Sequence, residues 1–387
     1  MGVKAMKNRV LYLVFALVLI SSLTLVGCGT NTATSSKTST APATAPAASS
    51  AAPAKVIELK FAYYLAPTSF MAVNYLHPFA QRIEAACQGK VKVTEYAAET
   101  LSKEAETVTA IETGIADIGL QTVSSIPGRF PLFEVTGLPF MGVTSGKDDN
   151  GKPISAGKAN SIIAWELYQS VPEIQQQFSS VKVLYTQATE DSYLLTTKKA
   201  VANLADLKGL KIRSTAGLQT DQIKALGGVP TPLALGELYQ SAQSGVIDGA
   251  VVNSGQIINS RLYELLKYKT DVNMGISIGF AVIMNKDKFA SLPPDVQQGI
   301  MSVSGRAGAE FAGESAFGPG LKQALDEAMA KGNFKWDLIS VTPEEQARWK
   351  AVGQPLWDQW VVKMNAKGLP GQKVLDEYLR LQKKYGG

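Results

Sequence analysis

Val56-Ile57-Glu58-Leu59-Lys60-Phe61-Ala62-Tyr63-Tyr64 is rich in β-branched and aromatic residues and partly alternates apolar with polar, the pattern of a strand. Met71 to Ala86 follows with helical spacing, which puts Phe79, Ile83 and Cys87 on one face. Gly89-Lys90 is a turn, and Val91 to Tyr96 alternates as a second strand. Glu104 to Glu112 reads as a short helix stopped by Gly114, and Asp117 to Gln121 as a third strand. This β-α-β-α-β succession predicts an α/β lobe with a largely parallel sheet.

The middle of the chain repeats the rhythm. Val181 to Tyr185, Tyr193 to Thr197, Lys211 to Ser214 and Ile247 to Val252 read as strands, with helices over 218–226 and 237–243 broken at Gly227-Gly228 and Gly245. Phe280 to Met284 is wholly apolar, as a strand buried on both faces must be. From Pro293 the chain turns helical. A long helix is expected to run to about Lys331 across several glycines, and Thr342-Pro343-Glu344-Glu345 opens another with an N-cap, Pro at the first helical position and acids in the first turn.

Composition sets the outer limits. A chain of 387 residues has room for about two domains. With 45% hydrophobic and 18% charged residues it is globular in composition. Two Cys and one His exclude a disulfide scaffold and His- or Cys-based metal clusters. No motif in the sequence points to a metal site or a cofactor. Of 38 basic residues, three lie within residues 1–27, leaving 35 against 33 acidic ones. So nearly neutral a chain, without a basic cluster, is not expected to bind nucleic acid.

Residues 1–27 read as an export signal. Lys4, Lys7 and Arg9 precede an apolar run, Val10 to Ile20, too short for a membrane span. Leu25-Val26-Gly27-Cys28 resembles the lipobox of bacterial lipoproteins, which implies cleavage before Cys28 and a diacylglyceryl group on its thiol. Residues 28–54, nearly all Ala, Thr, Ser and Pro with Lys37 the single charge, read as a flexible tether from that lipid to a body beginning at residue 55.

Catalytic motifs fail on inspection. Gly275-Ile276-Ser277-Ile278-Gly279 matches a nucleophile elbow, but the only His, His77, lies upstream, where no such triad places it. Gly146 to Lys152 has the outline of a phosphate loop, but Pro153 replaces the required hydroxyl and Asp148 and Asp149 would repel phosphate, so it reads as a surface turn. His77 and Cys87 read as structural residues. Nothing assembles a nucleophile, base and orienter, so an enzyme is not expected.

Between residues 204 and 249 the chain becomes specific: Leu204-Ala205-Asp206-Leu207-Lys208-Gly209-Leu210-Lys211-Ile212-Arg213, Ala225-Leu226-Gly227-Gly228-Val229-Pro230-Thr231-Pro232, Glu237-Leu238-Tyr239 and Gln243-Ser244-Gly245-Val246-Ile247-Asp248-Gly249. With Gly114-Ile115-Ala116-Asp117-Ile118, Leu138-Pro139-Phe140, Tyr263 to Tyr268 and Leu292-Pro293-Pro294-Asp295, this order resembles the solute-binding proteins of tripartite ATP-independent periplasmic (TRAP) transporters, dicarboxylate-binding type. The resemblance spans nearly all of residues 55–387. It implies a type II periplasmic-binding-protein fold, with two α/β lobes joined by hinge strands, a long helix spanning both and a helical C-terminal region. On that plan residues 55–185 form lobe I, 186–274 lobe II, and 275–387 return to lobe I with the spanning and C-terminal helices.

The resemblance further implies an organic acid held between the lobes, its carboxylate on Arg213. A guanidinium suits that task, since it stays charged and offers a planar fork that Lys cannot reproduce. Sialic-acid-binding members carry a second Arg where this chain has Tyr193, so that ligand is not expected. Tyr64, Gln121, Tyr193 and Asn253 are the other candidate ligand-binding residues; Tyr64 and Gln121 sit at strand ends where open α/β sheets bind ligands. Expected partners are an organic acid, the TRAP membrane permease subunits and, through Cys28, the lipid bilayer at the outer face of the cytoplasmic membrane. The competing classes are a surface sensor or interaction lipoprotein and an extracytoplasmic enzyme on the same fold.

Overall fold

The computed structural model describes residues 55–386, so the expected signal, Cys28 and the tether lie outside the described residues. In chain order the strands are β1 (Ile57–Ala62), β2 (Val91–Tyr96), β3 (Ile118–Thr122), β4 (Gly146–Lys147), β5 (Pro153–Ile154), β6 (Val181–Ala188), β7 (Tyr193–Thr196), β8 (Lys211–Ser214), β9 (Val229–Pro232), β10 (Gly249–Val252), β11 (Tyr268–Asp271), β12 (Gly279–Asn285) and β13 (Asp337–Ser340). They form two main sheets, ordered β2-β1-β3-β12-β6 and β13-β11-β7-β10-β8-β9, plus the hairpin β4-β5 that the phosphate-loop-like stretch makes.

The first sheet is less parallel than its β-α-β opening suggested. β1 runs parallel to β2 and β3, but β12 is antiparallel to both β3 and β6. The reason is connectivity: β6 leaves for the second sheet and β12 returns from it, so the two lie side by side in opposite directions. The apolar run at 280–284 is fully buried in this sheet, as its composition required.

The chain crosses between the sheets at residues 189–192 and again at 272–278. These segments are bonded to each other: Thr189 N–H donates to Ile278 O at 3.1 Å, Ile278 N–H to Thr189 Oγ1 at 3.0 Å, and Ser277 Oγ–H to Thr189 O at 2.6 Å. Asp191 Oδ1 accepts from Gly275 N–H at 2.8 Å. Phe140 N–H donates to Met274 O at 3.0 Å, so the 138–142 loop braces the crossing. Gly275 has φ +62°, and a Cβ there would stand 2.0 Å from Phe140 Cα, so only glycine fits.

The helix expected over 293–331 is three helices, Pro294–Ser302, Gly305–Phe317 and Pro319–Lys331. The last break lies at Gly318, held extended (φ −88°, ψ −167°) because the ring of Pro319 crowds an α-helical predecessor and supplies no N–H. Gly305–Phe317 packs against β6 and the helix Ala156–Ser170, and Pro319–Lys331 against Ser254–Asn259 beyond β10, so the pair bridges the sheets as the single helix was expected to. Glycines in it serve close approach: a Cβ on Gly313 would lie 2.6 Å from Lys158 Cα.

Helix Pro343–Ala366 opens as read, with the Thr342 hydroxyl accepting from Glu345 N–H at 3.3 Å. The last helix, Gly371–Tyr385, buries Val374, Tyr378, Leu381 and Tyr385, one stripe at helical spacing, against the first lobe. Met71–Ala86 is helical, with a π turn over Ala72–Leu76 closed by His77 N–H on Ala72 O; Pro78 behind it cannot donate to the ordinary ladder. Among the described residues no helix is long and apolar enough to cross a membrane.

Candidate functional site

Carboxyl ends of strands from both sheets face one cavity of about 350 Å³. Its walls come from the segments following β1 (Tyr64, Leu65), β3 (Ser124, Ser125), β8 (Thr215, Ala216), β9 (Leu233, Ala234) and β10 (Asn253, Gln256). Ile278 and Phe280 join them because β12, antiparallel to β3, brings its amino end to that side, with Phe280 opposite Thr122. Open α/β sheets place ligands in this kind of crevice. Such a volume suits a small organic molecule.

Arg213 is the charged centre of the wall. It lies inside β8, flanked by Thr231 of β9 and Ala250 of β10, and is 3% exposed. Nε and Nη2 both donate to Leu233 O, at 3.2 and 3.0 Å, which fixes the plane of the guanidinium. Nη1 is buried and has no partner. Burial lowers its pKa to about 10, partly offset by Glu104 and Tyr64, so it is cationic at neutral pH. A buried donor left open on a fixed cation is a costly arrangement that a ligand acceptor would satisfy.

Tyr64 and Asn253 also line the cavity. Tyr64 is half-buried, and burial, then the nearby Glu104 carboxylate, hold its hydroxyl protonated. Asn253, 5% exposed, caps the helix Ser254–Asn259: its Oδ1 accepts Gln256 N–H at 2.9 Å and Gln256 Oε1 accepts Asn253 N–H at 3.2 Å. That leaves Asn253 Nδ2 free of any partner among the described residues.

Gln121 and Tyr193 are off the cavity wall. Gln121 is 0% exposed and donates through Nε2 to Thr122 O at 2.7 Å and to the cavity-lining Ser125 Oγ at 2.8 Å. Strand alternation explains the displacement, since the neighbouring Thr122 faces the cavity. Tyr193, opposite Val252, packs among Leu195 and Leu238 with Lys269 Nζ 3.7 Å from its ring centre.

Glu104, in sequence only the start of a helix, lines the cavity and its outer mouth. Its position just beyond β2 at the carboxyl edge of the sheet was the available signal. Burial raises its pKa, opposed first by the Thr122 side chain and then by Arg213. Ser277 is no nucleophile candidate: it is 0% exposed and spends its hydrogen on the crossing segment. Beside it, burial pushes Glu190 and Asp191 up to about 8 and about 7. His77 is an exposed partner of Glu95, with Nδ1 2.6 Å from Oε1, and Cys87 is a buried thiol.

Two α/β lobes, joined by bonded crossing segments around a ligand-sized cavity with an unsatisfied cation, define a bilobal solute receptor. The chain belongs to the family described as bacterial extracellular solute-binding protein, family 7, whose sequence profile matches residues 61–363. It is 26% identical over 330 residues to the C4-dicarboxylate-binding periplasmic protein DctP of Rhodobacter capsulatus, covering 84% of this chain and 92% of that protein. Among solved structures, a TRAP periplasmic solute-binding protein of Desulfovibrio salexigens is 30% identical, with TM-score 0.72 over 85% of this chain and 97% of that one. A TRAP periplasmic solute-binding protein of Bordetella bronchiseptica with bound (R)- and (S)-mandelate is 26% identical, with TM-score 0.73 over 85% and 99%. The fold is therefore the type II periplasmic-binding-protein fold, and the chain is a solute-binding protein of the TRAP kind.

Proposed function

We propose that this protein captures an organic acid between its lobes, holds the carboxylate on Arg213, and delivers the acid to a TRAP membrane permease. One observation carries the reading: a fixed guanidinium, buried but with Nη1 unpaired, in the wall of a cavity lined by both lobes. The mandelate bound by the Bordetella relative is a carboxylate of matching size, which supports the same chemistry here. Tyr64 and Asn253 complete the polar contacts; Gln121 positions Ser125, and Tyr193 supports the strand end beside Asn253. Lobe boundaries near 185/186 and 274/275 put the crossing segments at the hinge, and solute touching both lobes would favour the closed form that a permease docks.

The reading includes secretion through residues 1–27, a lipid on Cys28 and the 29–54 tether, which would hold the receptor at the outer face of the cytoplasmic membrane. It does not include catalysis, in keeping with the bonded, inaccessible Ser277 hydroxyl. The test is a thermal-shift screen against organic acids. An acid at a hundred times its dissociation constant should add about 2.7 kcal/mol of stability. A response to sugars or cations with none to any acid would contradict the proposal.

A further inference from the structure

The cavity contains one buried cation, Arg213, and two carboxylates, Glu104 and Glu237. Glu237 is occupied locally: its Oε2 accepts Ala234 N–H at 3.1 Å at the start of a helical turn. Glu104 forms no ion pair within 4.0 Å among the described residues and stands half-buried between cavity and mouth, near enough to Arg213 to interact with it electrostatically. A ligand carrying negative charge alone would put one carboxylate on Arg213 while facing another on the protein, with little water to screen them.

We infer that the ligand is zwitterionic, an amino acid or a compound built like one, with its carboxylate on Arg213 Nη1 and its ammonium on Glu104. This inference rests on the reading of the cavity as a carboxylate site and adds the second pole. Each protein charge then gains an opposite partner, and the ligand enters with no net charge to desolvate unpaired. Glu104 is thereby a specificity-determining residue, separating amino acids from their simple carboxylate analogues. Burial raises the Glu104 carboxyl, and a bound ammonium would favour its ionised form.

The test uses the purified full-length chain and pairs of probes that differ only in the amino group: L-leucine and 4-methylpentanoate, L-phenylalanine and 3-phenylpropanoate, L-glutamate and glutarate. Calorimetry should find the amino member of at least one pair bound tenfold or more tightly than its partner. Glu104→Gln should weaken that amino acid by about 30-fold and erase the preference, while Glu104→Asp, which keeps the charge, should retain it. Unchanged melting of both variants separates recognition from misfolding. If the amino-free acids bind as well as or better than the amino acids, and lose binding in Arg213→Ala, the zwitterion inference fails and the carboxylate reading stands. If no amino acid binds while another acid from the thermal-shift screen does, the zwitterion inference fails alone; if no acid of any kind binds, both are overturned.

Discussion

Replacing Arg213 by Ala tests the site where the structure makes the largest commitment. The guanidinium is 3% exposed and holds Leu233 O with two donors, while Nη1 has no protein partner. In the complex, its removal would strand an enclosed carboxylate. Losing one member of a buried, hydrogen-bonded charge pair costs about 2–5 kcal/mol, which corresponds to a roughly 30-fold to 5,000-fold rise in Kd. Stability should change far less. The variant forfeits the bonds to Leu233 O but also sheds the cost of burying an unpaired cation, and these oppose. A residual of about 1 kcal/mol would move Tm by no more than about 4 °C. Arg213→Lys keeps the charge but cannot hold Leu233 O and a ligand in one plane, so it should lose about tenfold or more. Titration calorimetry against an acid identified by thermal shift reads both variants. A Kd for Arg213→Ala within about threefold of wild type would refute the reasoning.

Three further changes probe the surrounding structure. Asn253→Ala removes a helix cap and a free cavity donor, so it should cost about 1 kcal/mol of stability and weaken ligand by about tenfold; unchanged values for both would contradict the placement of its side chain. Gly275→Ala would force a Cβ to within 2.0 Å of Phe140 Cα at φ +62°, and should destabilise the fold by at least about 3 kcal/mol in denaturant titration. Glu190 and Asp191 are pushed up to about 8 and about 7 by burial, so the folded state holds protons that the unfolded chain has already released. Their contribution is fully present below about pH 4 and is lost as pH rises from about 4 to about 8, at up to about 1.4 kcal/mol per pH unit for each group. Tm should fall across that range, and Glu190→Gln should flatten the fall; identical slopes in variant and wild type would contradict it.

The parts of the fold legible in the sequence were those with strong local signals. Lys211–Ser214, the Thr342 cap and the buried 279–285 strand all carry period, cap or apolar run in their own residues. β9, β11 and β13 do not. Val229-Pro230-Thr231-Pro232 alternates with prolines, which suit an edge strand only once β8 is there to pair it. The antiparallel placement of β12 is a consequence of two crossings that no local window reports. The break before Pro319 was in principle readable, since a proline disfavours a helical predecessor.

The site divided along similar lines. Arg213 followed from the family resemblance together with the chemistry of guanidinium. Tyr64 followed from its place at a strand end, and Asn253 from the resemblance. Gln121 missed the wall by one residue because a strand's faces alternate, and a boundary uncertainty of one residue reverses which side chain points inward. Tyr193 pairs beside Asn253 in the second sheet but its ring turns to Lys269 and the apolar cluster. Glu104 carries no binding signal of its own because an acid in the first turn of a helix already has an ordinary explanation; only the fold brings it to the same cavity as Arg213.

The most direct measurement is a crystal structure of the protein with a bound acid that stabilises it. The account expects the carboxylate within hydrogen-bond distance of Arg213 Nη1, roughly 3 Å, with Leu233 O still holding the other side of the guanidinium and both lobes touching the ligand. A ligand seated elsewhere, with Nη1 facing only protein or solvent, would contradict it.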